Sequence, residues 1–334
     1  MTTVRKKYLW RHPSGRWYVR IKGRYVGIRA QLGTPDFDRE YWEILSGKRS
    51  ESKTSWTALI EDYRQSQRWS KLKPRTRADY EKVLAYLSEK IGTRDVKRLT
   101  RADVIKAQRA NSHRTRFGNY VAQVLVVLCE HGIDIGWLSH NPAKGVRALE
   151  TPPDRKRPHI PWPDWAVEKF RAEASSGALL IFELGVGTVQ RPGDWPRFTW
   201  GDYDGDSLKL VQGKTGKPMV IPCTARLRKA LDAARAALVV APLPSRPILV
   251  TRSGNPMTAR YVSGVMLKER KRLGLEAFDL HALRYRGVKE LAWAGCDDDQ
   301  IASYSGHSTT AMIHKYAGEA RQEMRARQAR EKRK

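Results

Sequence analysis

Apolar positions along this chain recur with two different periods, and the change of period outlines its organisation. Between residues 54 and 149 the spacing is helical. Trp56, Leu59, Ile60 and Tyr63 fall at i, i+3, i+4 and i+7. Tyr80, Val83, Leu84, Leu87 and Ile91 repeat the pattern, as do Val121, Val124, Leu125 and Leu128. Thr100 and Asp103, just ahead of Val104 and Ile105, read as a capping box that opens one more helix. Four helices in this stretch predict a compact bundle. Before it, residues 16–29 hold two short β-rich runs around Lys22 and Gly23, the pattern of a hairpin and its turn. Arg and aromatic side chains interleave along both runs. Such a ribbon suits a DNA groove, and equally suits a small packing hairpin. Residues 36–45 read as a short helix, and Ser46 to Lys53 as a polar linker.

A second linker lies between the bundle and the C-terminal half of the chain. Pro152, Pro153 and Pro158 sit among charged residues, which makes 150–158 an extended segment. From Ile160 onward the periods mix. Asp164 is expected to cap a helix. Leu179 to Leu184 is a buried helix, and Ser207–Gln212 and Pro218–Pro222 are paired strands around Gly213, Lys214, Thr215 and Gly216. Further helices are predicted over residues 227–238, 260–273, 280–294, 297–304 and 308–316. Gly318 is expected to end the last of these, leaving 319–334 as a basic tail, helical or disordered. The expected division is therefore 1–53, 54–149, 150–158, 159–318 and 319–334.

Charge narrows the function classes. Of 334 residues, 63 are Lys or Arg and 35 Asp or Glu, a formal net charge of +28. The three segments 1–53, 54–149 and 150–334 carry +8, +9 and +11, so the excess is not one basic tail. Such an excess points to a polyanionic partner. With 40% hydrophobic residues and 11 Trp, the chain holds too much core material for a disordered polycation. Three scattered cysteines, Cys129, Cys223 and Cys296, argue against a disulfide scaffold. No run approaches the ~18 apolar residues of a membrane span. Residues 1–5 hold no apolar signal segment, so a reducing cytoplasm is the expected compartment. Basic residues gather at the bundle's loops and helix ends. Arg68, Lys71, Lys73, Arg75, Arg77, Arg109, Arg114 and Arg116 are the candidates there for phosphate contacts.

Familiar catalytic motifs are missing. Lys214 and Thr215 lack the spaced upstream glycine of a nucleotide-phosphate loop. His307 and His314 have no zinc-ligand partners at the right spacing, and no serine nucleophile elbow occurs. What remains is an ordered set of cations, hydrogen-bonding groups and one tyrosine: Arg191, Lys214, His281, Arg284, His307 and Tyr316. Taken singly, each has an ordinary surface or packing role. Together they match the needs of phosphodiester cleavage without a metal. Two arginines fork onto non-bridging oxygens, Lys or His donates a proton, and a tyrosine hydroxyl attacks and holds the phosphate.

These residues resemble the catalytic domain of the tyrosine recombinase (phage integrase) family over residues 160–318. Arg191 to Asp194 resembles the first box of the family, with Thr199 to Asp202 as the strand after it, and Lys214 its hairpin lysine. His281 and Arg284 resemble the second box. Ser305, Gly306 and His307, with Tyr316 nine residues after His307, resemble its end. Residues 54–149 are similar to the family's core-binding domain, and the N-terminal hairpin to arm-binding regions of some phage integrases. Val189 and Gln190 depart from the glycine-containing pair that often precedes the first Arg, and Tyr285 departs from the His, Lys or Thr that often follows the second.

The resemblance implies a mainly α fold with small β-sheets (α+β), in which the helical core-binding and catalytic domains follow a short N-terminal β module. It implies a site-specific DNA recombinase working through a 3′-phosphotyrosine, with no cofactor and no metal. Arg191, Arg284 and His307 would grip the phosphate, Lys214 would protonate the leaving oxygen, and His281 would assist Tyr316. Asp194 would support the site. Tyr285 and Tyr304 are rival candidates for the nucleophile, but only Tyr316 has the family spacing, and the other two are expected to pack beside the site. The implied partners are double-stranded DNA attachment sites, a homotetramer on DNA, and a directionality factor or host DNA-bending protein. The implied place is the nucleoid, without a membrane. The alternatives are a catalytically silent DNA-binding regulator and a type IB topoisomerase-like relaxing enzyme.

Overall fold

The structure, a computed structural model, describes residues 6–47, 53–156 and 159–333. Residues 1–5, residues 48–52 of the first expected linker, Arg157 and Pro158 of the second, and Lys334 lie outside the described residues. The chain divides into two compact units, Met1–Lys156 and Arg157–Lys334.

The first unit opens on an antiparallel sheet of β1 (Leu9–Arg11), β2 (Trp17–Ile21) and β3 (Arg24–Ile28), in that order. Lys22 and Gly23 both take positive φ (47° and 79°), which is the turn geometry that matches strand twist in a two-residue hairpin. The expected hairpin thus gains a third strand: Leu9 pairs with Val19, which in turn pairs with Val26. One sheet face is covered by α1 (Pro35–Ser46), whose Phe37 and Tyr41 are buried with Val19 and Ile28. Thr34 caps that helix by accepting from the Phe37 N–H.

The helical period then produces α2 (Trp56–Gln65), the single turn α3 (Gln67–Ser70), α4 (Pro74–Ile91), α5 (Arg101–Ala110) and α6 (Thr115–Asp134). The predicted capping box of Thr100 and Asp103 is formed. The apolar stripes meet in one core. Trp56, Leu59, Ile60, Tyr63, Val83, Leu84, Val121, Val124, Leu125 and Leu128 are all essentially inaccessible to solvent. Burying each such side chain stabilises the bundle by about 1.5–3 kcal/mol relative to exposure.

The second unit contains α7 (Asp164–Glu173), α8 (Ser176–Thr188), the hairpin β4 (Ser207–Val211) and β5 (Pro218–Pro222), α9 (Ala225–Ala236), α10 (Ala259–Leu273), α11 (His281–Trp293), α12 (Asp298–Ser305) and α13 (Thr310–Lys332). Helix α8 is apolar between its ends apart from Glu183, which pairs with Arg171, and is buried against α9, α10 and α11. The fold is α+β, as expected, and among the described residues no helix is long and apolar enough to cross a membrane.

Three local expectations fail. Asp164 does not cap α7: Pro163 holds the cap position, and the Asp164 carboxylate pairs instead with the buried Arg286. Residues 200–202 are a 3₁₀ turn rather than a strand, because Thr199 and Asp202 form a capping box across them. Gly318 does not end its helix, and α13 runs through it to Lys332. A mid-helix glycine costs only about 1 kcal/mol. Ile313, Ala317 and Ala320 offset it by burial on one face with Val288, Ala292 and Ile301. Arg321 adds bonds to the Asp298 carboxylate and, at 3.0 Å, to the Cys296 carbonyl.

Candidate active site

Five segments of the second unit carry the candidate residues, the fifth being α13 with Tyr316. The first is the end of α8. Val189 terminates it in the left-handed region (φ 56°, ψ 23°), although it is β-branched and 1% exposed. That conformation costs an L residue about 1–2 kcal/mol. It turns the chain so that Gln190 enters the interior and Arg191 follows. The second segment is the β4–β5 loop, with Lys214 exposed at its tip. The third is the start of α11, with His281 and Arg284. The fourth is the turn after α12, where Gly306 (φ 69°) closes the helix and delivers His307. No side chain fits at Gly306, because an added Cβ would lie 2.4 Å from the Gln212 amide nitrogen.

Buried amides and a carboxylate tie the first, second and fourth of these segments to one another. Gln212 Nε2 donates to Gln190 Oε1 at 2.6 Å and to the Ser305 carbonyl at 3.2 Å. Gln190 Nε2 donates to the Thr188 carbonyl at 3.0 Å, and the Thr215 hydroxyl donates to Gln212 Oε1 at 2.7 Å. Asp194 Oδ1 accepts from the Gly213 N–H at 2.8 Å, with Arg197 3.7 Å away. Asp194 therefore binds the hairpin of Lys214 to the segment of Arg191. Gln212 carries no signal in the sequence, since an isolated polar residue has no periodic signature, and Gln190 and Ser305 are legible only as neighbours of Arg191 and His307.

Arg284 is 2% exposed. Its Nη2 donates to the Ser305 carbonyl at 3.1 Å and to His307 Nε2 at 2.9 Å. The Ser305 hydroxyl donates to the Ile301 carbonyl at 2.6 Å, so its oxygen accepts from His307 Nδ1 at 2.7 Å. This network assigns the His307 proton to Nδ1 and leaves Nε2 as the acceptor for Arg284. Burial, with Arg284 and Arg191 close by, pushes the His307 pKa down to about 4, so the ring is neutral at pH 7. Burial and the charge of Arg191 likewise lower the Arg284 pKa to about 10. Asp194 is a nearby counter-charge.

Two guanidinium nitrogens, Arg191 Nη1 and Arg284 Nη1, are buried without any hydrogen-bond partner. An unpaired buried cationic donor is costly. Two of them on mutually repelling arginines define a site built for an oxyanion.

Tyr316 lies beside this pair on α13. Its ring stacks on Tyr285, with centroids 3.7 Å apart and planes at 14°, and its centroid is 6.3 Å from that of His307. The His281 pKa is lowered by burial and by His159 and Arg284. His159, which no sequence motif singles out, hydrogen-bonds to the Asp279 carboxylate and packs 4.9 Å from His281, ring to ring. Tyr304 is engaged elsewhere, donating to the Gly187 carbonyl at 2.8 Å. Among the described residues, no group of three or more His, Cys, Asp or Glu is placed to hold a metal.

In the first unit the basic candidates differ in what they touch. Arg68 pairs with Asp134 at 2.9 Å and Arg75 with Asp79 at 3.1 Å, both on the surface. Arg77 turns inward, donating to the carbonyls of Trp69 and Ser70 at 3.3 and 3.0 Å. The Arg114 guanidinium lies 4.5 Å over the Phe117 ring. Lys71, Lys73, Arg109 and Arg116 are exposed.

Comparison with known proteins agrees with this geometry. Residues 167–323 match the phage integrase family. The integrase of Escherichia phage HK022 is 24% identical over 303 residues, covering 82% of this chain and 81% of that protein. Among solved structures, a lambda integrase dimer bound to a COC′ core site superposes with a TM-score of 0.65 at 17% identity, covering 93% of this chain and 94% of that one. A lambda integrase tetramer bound to a Holliday junction gives 0.64 at 19% identity, covering 91% and 96%. The Tn1549 transposon integrase in complex with circular intermediate DNA gives 0.65 at 17% identity, covering 79% and 95%. Residues 167–323, which hold Arg191, Lys214, His281, Arg284, His307 and Tyr316, are thus a domain of the phage integrase family.

Proposed function

We propose that this chain is a site-specific DNA recombinase that cleaves and rejoins duplex DNA through a 3′-phosphotyrosine. The observation that carries this reading is the pair of unpartnered, buried nitrogens on Arg191 and Arg284 beside Tyr316. A scissile phosphate supplies the acceptors that both nitrogens lack, and it relieves the repulsion between the two cations. His307, neutral and bonded to Arg284, keeps that guanidinium in register. The Tyr316 hydroxyl oxygen attacks phosphorus, and the bond from phosphorus to the 5′ oxygen breaks. The tyrosine proton passes to His281, which its surroundings keep unprotonated at neutral pH. Lys214 gives a proton to the departing 5′ oxygen. The phosphotyrosine conserves the ester bond, so a second 5′ hydroxyl rejoins it without an external energy source.

The partner is double-stranded DNA. Four strands exchange between two sites, so a homotetramer on DNA follows from this chemistry, as does control by a directionality factor or a DNA-bending protein. The exposed basic residues of the helical bundle supply phosphate contacts. The open face of the N-terminal sheet supports a second DNA contact. There Trp10 packs 5.1 Å from Tyr25, and the Arg20 guanidinium lies over the Tyr25 ring.

The test uses a nicked duplex carrying the element's attachment sequence, which traps the covalent adduct. Wild type should form a DNA adduct, and Tyr316→Phe should not. An adduct that persists in Tyr316→Phe, or none with wild type, refutes the reading. Exchange between two sites, rather than relaxation of supercoils alone, separates a recombinase from a topoisomerase.

A further inference from the structure

Tyr285 has no role in the chemistry above, yet its ring stacks on that of the nucleophile. It directly follows Arg284 on α11, is 6% exposed, and lies face to face with the ring of Tyr316 at 3.7 Å. Aromatic pairs more commonly sit with centroids 4.5–7 Å apart, offset or edge to face. Near-parallel rings at this distance overlap over most of their area. Burial raises the Tyr285 pKa, and the Tyr316 hydroxyl also helps to raise it. Two more rings meet Tyr285 edge to face, His281 at 5.0 Å and His159 at 5.6 Å. Tyr285 is thus held among the rings of His281, His159 and the nucleophile.

Resting on the function proposed above, we propose that Tyr285 is a positioning residue for Tyr316. Its ring holds the nucleophile against α11, and its hydroxyl donates to the Tyr316 oxygen. Burial and that donation both push the Tyr285 pKa up, so it keeps its proton while Tyr316 gives one away. A hydrogen bond to an oxygen strengthens as negative charge develops there. In cleavage the donated bond therefore favours loss of the Tyr316 proton. In rejoining, Tyr316 is the leaving group, and the same donor stabilises it as the phosphorus–tyrosine bond breaks. One interaction then accelerates both directions and leaves the balance between cut and rejoined DNA unchanged. It also gives a physical reason why this chain has a tyrosine directly after Arg284.

Adduct formation on nicked DNA, followed across pH 6–9, tests this. The charged and titratable groups facing the pair are His281, Arg284, Asp279, His159, His307 and Lys315. They are common to wild type and Tyr285→Phe, so a difference between the two profiles belongs to the Tyr285 hydroxyl. Tyr285→Phe keeps the ring and should bind DNA like wild type. It should cleave about tenfold more slowly near pH 7, the scale of one hydrogen bond to a charged group. Its pH–rate profile should move to higher pH, and rejoining should slow by a similar factor. Tyr285→Leu, which also removes the stack, should be slower still. A Phe variant with wild-type rate and profile overturns the proposal while leaving the recombinase reading intact. An adduct that survives Tyr316→Phe but vanishes in Tyr285→Phe makes Tyr285 the nucleophile and overturns both. Absence of an adduct with wild type removes the recombinase reading, and this inference with it.

Discussion

Replacing Gln212 by Leu separates what the buried amides do for stability from what they do for the reaction. The side chains are similar in volume, and Gln212 is 1% exposed, so shape is nearly preserved. Three hydrogen bonds disappear: to Gln190 Oε1, to the Ser305 carbonyl, and from the Thr215 hydroxyl. Their consequences differ. The Ser305 carbonyl keeps Arg284 Nη2 at 3.1 Å, and Thr215 is exposed and finds water. Each of these losses costs about 0.5–1 kcal/mol. Gln190 Oε1 is left without that donor in the interior, which costs about 1–3 kcal/mol. The larger apolar surface of Leu offsets about 1 kcal/mol. The net loss is about 2 kcal/mol. For a unit of this size that lowers Tm by about 4–8 °C, read by calorimetry or near-UV circular dichroism.

The unit should stay folded at 25 °C, because about 2 kcal/mol is less than the usual 5–15 kcal/mol of stability. The reaction should suffer more than the fold. The Arg191 segment, the Lys214 hairpin and the His307 turn would no longer be held together by one amide, and loss of near-attack geometry commonly costs tenfold or more. Adduct formation on nicked DNA at 25 °C should fall at least tenfold with DNA affinity unchanged. A variant that loses the predicted Tm yet cleaves at the wild-type rate refutes the positioning role. Unchanged Tm refutes the energetic argument for the clasp.

Two further outcomes rest on single residues. The His307 pKa is depressed from an ordinary 6.5 to about 4. Below pH 6.5 the unfolded chain therefore binds a proton that the native state refuses, and stability falls with pH between 6.5 and 4 by about 3 kcal/mol. His307→Gln should show a shallower loss over that window in denaturant titrations, with the remaining slope owed in part to His281; an unchanged slope rejects the assignment. Val189→Gly should release about 1–2 kcal/mol of left-handed strain. It should also forfeit about 1.5 kcal/mol of burial and 0.5–1 kcal/mol of chain entropy. A Tm lower by a few degrees is expected, and a higher Tm would show that strain outweighs packing here.

Much of this molecule was legible in its amino-acid order, because the relevant signals are local or repeat at short range. The 3.6 period of Trp56, Leu59, Ile60 and Tyr63 fixes a buried helix face whatever that face meets. Lys22 and Gly23 specify a turn on their own. The catalytic candidates were found because their order and spacing form a pattern, and the fold around them followed from the family that shares it.

Tertiary structure decided what depends on distant partners. Gln190 and Gln212 are 22 residues apart and meet Ser305 more than 90 residues later, so no window along the chain reveals the clasp. Tyr285 reads as packing until α11 and α13 place its ring on Tyr316. Gly318 reads as a helix stop because glycine favours one locally, and burial of Ala317 and Ala320 overrides that preference. Sequence order thus determined which groups are present and which short elements carry them. Only packing decided which groups touch, because hydrogen bonds and ring contacts depend on distances of a few ångströms between segments far apart in the chain.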